Sequence, residues 1–505
     1  MTMSPHCFTS LVLALAACSL GSAPVDEAGI AARVAATASA RASQNVVEKK
    51  LGTNLAPVRD WSTERPFADL MKQSRTWISN TEATWDDGRP VDVDAHGWVK
   101  SLLPGQRART LVMWGEPIPA GDYVVTWAGQ GTLDFWPQTD VTVTDHHAVV
   151  HADQAKGGLA LTVTSSVMTD PVRDIHVFAK GNEGKMFAPA FLASLKGYAA
   201  LRFMDWGETN EAKVVTWTSR ATLDDARWSE KGVPLEVMVA LCNETHGDMW
   251  LTVPHTWDDD AVAKAAALLH DKLDKSLVLY VEHSNEVWNG IFPQAAVAQR
   301  DGLKKKLSKN PFEAQLRRHG ERSVEVFKIF EKVWEPGRLV RTLGSMSAVP
   351  SASETLLSTK DVAAHTDALA IAPYFGGDID QPMTLNALMN QLDRKVYEVA
   401  DTVGKQKAIA DRFKVRLVAY EGGQHLVALN NEKLAALFLE ANRDPRMKDV
   451  YARMLKAWRD AGGGLFLHYF DVGAPNKFGS WGARERLDVS TPKSEALLSF
   501  AESSP

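Results

Sequence analysis

Cysteine is almost missing from this chain: there are three in 505 residues. So few thiols cannot build the dense staples of a small secreted fold, and stability has to come from a packed core. An excess of positive charge is missing too. Lys and Arg number 56 against 62 Asp and Glu, a formal net charge of −6, so no basic stripe is available to track a nucleic-acid backbone. The chain has no glycine-rich phosphate loop, no dinucleotide fingerprint and no Cys/His zinc spacing. Beyond the N-terminal leader no apolar run approaches the roughly 20 residues that span a bilayer. With 45% apolar and 23% charged residues, disordered, collagen-like and polytopic membrane classes are excluded. What the chain does have is 16 Trp. Most belong to core packing, but such a surplus also supplies flat apolar surfaces.

Residues Phe8 to Ala17 form a short apolar leader that ends in Leu15-Ala16-Ala17-Cys18. This segment resembles the bacterial lipobox, which implies removal of residues 1–17 and lipidation of Cys18. Ser19, rather than Asp, follows the cysteine. By the same resemblance this implies a Gram-negative outer-membrane lipoprotein, its body facing the periplasm or the cell surface. Residues 18–50 are rich in Ala, Ser, Gly and Val and read as a tether. Cys7 leaves with the leader and Cys18 carries lipid. Cys242 is then the remaining thiol, expected as a small buried apolar side chain without a disulfide partner.

Two textures divide the rest. From about Pro104 to Lys180 the chain shows short alternating runs such as Gly121–Trp127, Val141–Thr144 and Leu161–Thr164, punctuated by Gly, Pro and Asp. That spacing predicts a small antiparallel sandwich over 104–180. The flanking segments, 51–103 and 181–505, alternate continuous apolar strands with amphipathic helices, the pattern of a parallel sheet buried on both faces. The expected strands are Ser74–Ile78, Ala200–Met204, Leu235–Val239 with Trp250–Val253, Leu277–Val281, Leu339–Leu343, Ala368–Ala372, Arg416–Tyr420 and Gly464–His468. The expected helices include Asp258–Lys275, Phe312–Val333 and Met447–Ala461. The reading is an α/β fold, a (β/α)8 barrel, with the sandwich inserted after its first strand. An open doubly wound sheet would need a phosphate loop near its first strand, and none is present.

In such a barrel, chemistry lies at the C-terminal ends of the strands. The fourth strand runs into Glu282-His283-Ser284-Asn285-Glu286-Val287-Trp288-Asn289, and the seventh into Glu421-Gly422-Gly423. Glu286 and Glu421, roughly three β/α units apart, are therefore expected to be able to face each other across the mouth. Two carboxyl groups about 5–5.5 Å apart serve a retaining glycosidase as nucleophile and acid/base; about 6.5–9.5 Å would leave room for the water of an inverting one. These residues resemble clan A of the glycoside hydrolases, with its acid/base Glu after an Asn at strand four and its nucleophile at strand seven. The resemblance covers the barrel and not the insert. It implies Glu286 as acid/base and Glu421 as nucleophile, with Arg202 near the nucleophile and Tyr374 hydrogen-bonded to it. The run around Glu286 also resembles a group of poorly characterised secreted proteins, some labelled cellulose-binding.

Glu286 must hold a proton near neutrality, in apolar surroundings to which Trp288 and Tyr280 could contribute. Glu421 must be ionised, a form Arg202 favours. Asn285 suits a sugar 2-hydroxyl. Gly422 and Gly423 are expected to leave room for substrate beside the nucleophile. Glu282 is a rival acid/base, although a structural ion pair fits its place inside the strand better. His255 is a candidate substrate contact, and Trp257, His283 and His425 are further candidates for the cleft lining. The resemblance also implies Trp481, beyond the eighth strand, as the sugar-stacking ring, with His468 or Tyr469 competing for that place. Asp145, His146, His147 and His151 read as a solvated hairpin rather than a metal site, and no cofactor is expected. The implied partner is a polysaccharide or oligosaccharide substrate, cleaved by a lipid-anchored retaining glycosidase. The competing readings are a catalytically idle carbohydrate-binding protein and a scaffold lipoprotein of an export machine.

Overall fold

The structure is a computed structural model that describes residues 50–115 and 118–503. The expected leader 1–17, the lipidation site Cys18 and nearly all of the tether 18–50 lie outside the described residues.

Eight parallel strands close into a barrel in the order Leu51–Asn54, Ala200–Arg202, Asp248–Val253, Leu279–His283, Leu339–Gly344, Ala368–Ile371, Arg416–Ala419 and Phe466–His468. The ring closes where Leu51, Gly52 and Thr53 pair with Phe466, Leu467 and His468. Helices return the chain between strands. Among those that begin on side-chain caps are Asp259–Lys272 after Asp258, Pro311–Phe330 after Asn310, and Leu385–Arg412 after Thr384. Each capping oxygen satisfies an amide that the helix itself leaves unpaired.

Two of the expected strands are placed differently. The first barrel strand is Leu51–Asn54, not Ser74–Ile78. Its sequence, Leu-Gly-Thr-Asn, is too short and too polar to read as an apolar run, yet all four residues are buried between parallel neighbours. Residues Leu70–Gln73 form a 3-10 turn and Ile78–Asn80 joins the inserted domain. Leu235–Val239 is the start of a helix, Leu235–Thr245. A continuous apolar run fits a buried helix as well as a strand, and periodicity cannot separate the two.

The insert lies between the first two barrel strands. One of its antiparallel sheets has the order Ile78–Asn80, Arg107–Trp114, Gly158–Ser166, Gly131–Trp136; the other has Arg173–Ala179, Gly121–Ala128, His147–Ala152, Val141–Thr144. Their inner faces share a core that includes Trp77, Val112, Val125, Phe135, Val150 and Val163, separate from the barrel core. Because Ile78–Asn80 pairs with Arg107–Arg109, this sheet begins well before residue 104. Asp145, His146, His147 and His151 are at one hairpin, where His146 Nε2 meets the Gly129 carbonyl and His151 Nδ1 meets Asp122.

Inside the barrel, inward side chains stack in layers. Ala200, Trp250, Tyr280, Val340, Ala368 and Val418 form an apolar layer, with the Trp250 and Tyr280 rings 5.2 Å apart and within 8° of parallel. Above it comes a polar layer made by Asn54, Arg202, Glu282 and Tyr420. The first strand can sit this close to its neighbours only because Gly52 has no side chain: a Cβ there would lie 2.7 Å from the Ala200 carbonyl oxygen. Gly52→Val should therefore lower stability by about 1–3 kcal/mol, the usual cost of overpacking. The check is the urea unfolding midpoint against the wild-type protein.

Candidate active site

Arg202 ends the second barrel strand and has no exposed surface. Its Nε and one terminal nitrogen donate to Glu282 Oε2 at 3.1 and 2.9 Å. The same terminal nitrogen reaches Asn285 Oδ1 at 2.8 Å; the other reaches Asn54 Oδ1 at 3.0 Å and Glu421 Oε2 at 3.3 Å. Trp250 Nε1 completes the shell of Glu282 at 2.9 Å. Glu282 is thus the structural partner of Arg202, packed against Gly344, where a Cβ would come within 2.8 Å of its carboxylate.

Beyond the fourth strand the backbone turns sharply. Ser284 and Glu286 both have positive φ, 61° and 41°, a left-handed conformation that costs non-glycine residues energy and clusters at functional sites. The turn brings Asn285 to Arg202 and Glu286 to the mouth. Glu286 accepts hydrogen bonds from the Tyr420 hydroxyl at 2.9 Å and the Asn289 amide at 2.8 Å. Glu421, two residues past the seventh strand, accepts from Arg202 and from the Tyr374 hydroxyl. A short parallel pair, Tyr374–Phe375 with Gly423–Gln424, holds that tyrosine beside it.

Glu286 and Glu421 line one cavity of about 140 Å³, together with Asn285, Tyr374, Tyr469 and Trp481. A second hollow of about 310 Å³ shares Glu286 and Tyr374 and is lined by Trp288 and His425. Arg202 is not on the wall of the first cavity but is hydrogen-bonded to Asn285 and Glu421, which are. Burial raises the carboxyl pKa of Glu286, against hydrogen bonds from Asn289 and Tyr420 that oppose the shift. Burial also pushes Glu421 well up, and the charge of Glu286 adds to this; Arg202 and Tyr374 oppose it. Each carboxylate disfavours ionisation of the other, so the pair titrates as a unit and holds a proton above the usual carboxylate range.

The structure gathers Arg202, Asn285, Glu286, Tyr374, Glu421 and Trp481 at this mouth. Trp481 meets Tyr374 and Tyr469 edge-on, at 5.8 and 5.4 Å, so it shares the aromatic wall with Tyr469. His468 does not compete for that place, being buried and turned to the Phe470 carbonyl and Tyr451 hydroxyl. His255 is not on the cavity wall either. Its turn after the third strand carries it beside His283, on which it acts electrostatically, and His283 in turn contacts His319 on the helix Pro311–Phe330. Trp257 lines a separate pocket with Pro254 and Lys213. Gly422 and Gly423 serve the protein's own packing rather than substrate. A Cβ at Gly422 would meet the Phe466 ring at 2.8 Å, and one at Gly423, where φ is +138°, would meet the Tyr451 hydroxyl at 2.9 Å. Tyr280 stacks inside the barrel, and the ring touching Glu286 is Tyr420. Among the described residues no cluster of three or more His, Cys, Asp or Glu is arranged to hold a metal ion.

Sequence reasoning overlooked Tyr420, Asn289 and Asp205. Tyr420 read as the end of an apolar strand, and Asn289 stood in the quoted run without a role, three residues beyond Glu286 at the close of a tight turn. Asp205 follows the second strand and lines the cavity, with one buried carboxylate oxygen that lacks a hydrogen bond. Burial pushes its pKa up to about 7, helped by Glu208 and Glu211 and opposed by Arg59 and Arg202. A carboxyl raised in the folded state stabilises the fold fully below its unfolded pKa, near 3.8, and loses that contribution as pH rises to about 7. Asp205→Asn should therefore gain stability relative to wild type between pH 4 and pH 8. Urea midpoints of both proteins at the two pH values check the sign.

No protein-family model matches the chain, and no curated protein matches it. Among solved structures it is similar to the GH51 arabinofuranosidase from Xanthomonas axonopodis pv. citri, at 13% identity and a TM-score of 0.43, over 63% of this chain and 66% of that one. It is similar to the endo-β-1,4-mannanase from Thermotoga petrophila at 11% identity and a TM-score of 0.35, over 62% and 72% of the two chains. A β-glucosidase from Thermotoga maritima gives 11% identity and 0.36, over 62% and 85%. The chain spans slightly less than two thirds of the arabinofuranosidase. Likenesses at this identity and these TM-scores assign no activity to it.

Proposed function

We propose that the protein is a retaining glycoside hydrolase acting on an extracellular or periplasmic glycan. The observation that carries this reading is the pair Glu286 and Glu421, brought from strands four and seven to one cavity and treated unequally by Arg202. The guanidinium touches Glu421 and not Glu286. On that contact Glu421 is assigned as the member that ionises for attack on the anomeric carbon, against the burial and the Glu286 charge that push it up, and Glu286 as the member that keeps the proton. Glu286 gives its proton to the leaving oxygen as the C–O bond breaks and Glu421 bonds to the sugar. It then takes a proton from the water that releases the glycosyl group. Asn285 has its carbonyl oxygen on Arg202 and one amide hydrogen on Asn210, which leaves the other for a sugar hydroxyl. The resemblance to clan A in residues Asn285, Glu286 and Glu421 supports the same roles.

A panel of chromogenic aryl glycosides and polysaccharides tests this. Glu421→Gln should abolish turnover. Glu286→Ala should slow substrates with poor leaving groups by about 10²–10⁴ and activated aryl glycosides far less. Added azide should restore the Glu286→Ala enzyme and yield a glycosyl azide of retained configuration. An inverted product, or full activity in Glu421→Gln, would end the proposal.

The proposal extends to location. Leu15-Ala16-Ala17-Cys18 supports a lipid anchor at Cys18, and Ser19 supports the outer membrane. On expression from the full precursor, wild-type protein should partition into detergent and Cys18→Ser into the aqueous phase.

A further inference from the structure

The insert carries an aromatic cluster that the cavity does not use. Along Gly131–Trp136 the side chains alternate: Phe135 enters the sandwich core, while Thr132, Asp134 and Trp136 face outward. Trp136 is 43% exposed. Its ring stacks on Trp114, with centroids 5.3 Å apart and planes 24° from parallel. Trp114 in turn lies against the backbone of Gly158, where a Cβ would meet the ring at 2.4 Å. Trp85, from the loop after Ile78–Asn80, stands at 69° to Trp136 and 5.0 Å away. The three rings make a floor and a wall.

A row of polar groups runs beside them. Arg109, Thr162 and Asp134 are register partners on three adjacent strands. Arg109 is nearly buried, with its guanidinium 4.4 Å above Trp85 and its Nε on the Thr162 hydroxyl at 3.1 Å. Thr132, Thr164 and Ser165 continue the row with hydroxyls 2.7 Å apart. The surface also adjoins the cavity: the Trp114 amide donates to the Asp60 carbonyl at 2.9 Å, and the next residue, Trp61, lines the cavity that holds Glu286 and Glu421.

We propose that this face of the insert is a second carbohydrate-binding site, a platform on which a pyranose unit of a glycan chain stacks against Trp136 with Trp85 at its edge. A pyranose with equatorial hydroxyls is apolar on its C–H faces and polar around its rim. The rings match the first property, and Asp134, Arg109 and the hydroxyl row match the second. The adjoining Trp61 makes the occupant the same kind of chain that the cavity takes. Its identity as a glycan rests on the glycosidase reading; the surface itself does not.

The experiment uses the protein carrying Glu421→Gln, so that no probe is consumed. Glucomannan, arabinoxylan, arabinan and hydroxyethyl cellulose serve as probes in affinity gel electrophoresis. At least one should retard the protein. Adding Trp136→Ala should weaken that retardation about tenfold, the order of one aromatic stacking contact, and Trp136→Phe should restore most of it. In the otherwise wild-type protein, which keeps Glu421, Trp136→Ala should leave turnover of a short aryl glycoside unchanged. Asp134→Ala is the second variant, exposed and outside both cores, and covers the case in which Trp136→Ala lowers the unfolding midpoint. Unchanged retardation in Asp134→Ala and in a folded Trp136 variant overturns the platform, as does failure of all four probes to retard the protein. Loss of aryl-glycoside turnover in a folded Trp136→Ala protein also overturns it, because the ring would then be acting through the cavity. A protein that hydrolyses nothing but loses retention with Trp136→Ala keeps the platform and discards the glycosidase reading.

Discussion

The guanidinium of Arg202 is a full charge enclosed in a barrel interior, with no exposed surface. Taking such an ion out of water costs several kcal/mol, and only close carboxylates and a complete set of acceptors offset that. The acceptors come from far apart in the chain: Asn54 on the first strand, Glu282 on the fourth, Asn285 just beyond it, and Glu421 beyond the seventh. Satisfying one buried cation thus fixes the relative positions of four segments around the mouth. It also explains why Gly344 stands opposite Glu282, since a side chain there would displace the carboxylate. The polar layer at the top of the barrel is built around this ion.

The same ion sets the chemistry of the pair. Three buried carboxyl groups, Glu282, Glu286 and Glu421, surround one guanidinium, so the cluster carries more potential negative charge than it can balance. Glu282 is closest to Arg202 and also accepts from Trp250. Burial raises all three, in Glu282 against the opposing charge of Arg202 and the Trp250 hydrogen bond. A low-dielectric site in which one carboxyl must stay protonated while its neighbour faces a cation is an arrangement suited to acid/base work. The tyrosines that touch the pair stay neutral donors, because burial and these same charges push Tyr374 and Tyr420 well above their ordinary range.

Rigidity at the mouth comes from packing rather than from loop flexibility. Left-handed Ser284 and Glu286 are held by the Ser284 amide on the Val253 carbonyl and by the Asn289 amide on the Glu286 carbonyl, both at 2.7 Å. On the opposite side, Tyr374 and Gly423 are register partners in a two-residue parallel ladder, and Tyr451 and His468 fill the space that a Gly423 side chain would take. The insert reaches this region through Trp114 and Asp60. It has its own core, and its contact with the cavity rim runs through the short stretch that carries Arg59 and Trp61.

The amino-acid sequence by itself determined the fold class and the two carboxylates. Continuous apolar strands between amphipathic helices leave few ways to bury both faces of a sheet, and Asn285-Glu286 and Glu421 stand at the ends of two such strands. Arg202, Tyr374 and Trp481 were legible through the resemblance to clan A and not from strand ends alone, since Trp481 stands well beyond the eighth strand, Phe466–His468. Leu51–Asn54 was not legible, because its burial comes from its two neighbours and not from its own composition. Leu235–Val239 was misread because an apolar run carries no period when every side is buried. The places of Tyr420, Asn289, Asp205 and His255, and the real use of Gly422 and Gly423, depend on turns after the strands and on side chains distant in sequence. Those are decided by tertiary packing, since left-handed turns and the shared acceptors of one buried cation leave no pattern in local sequence.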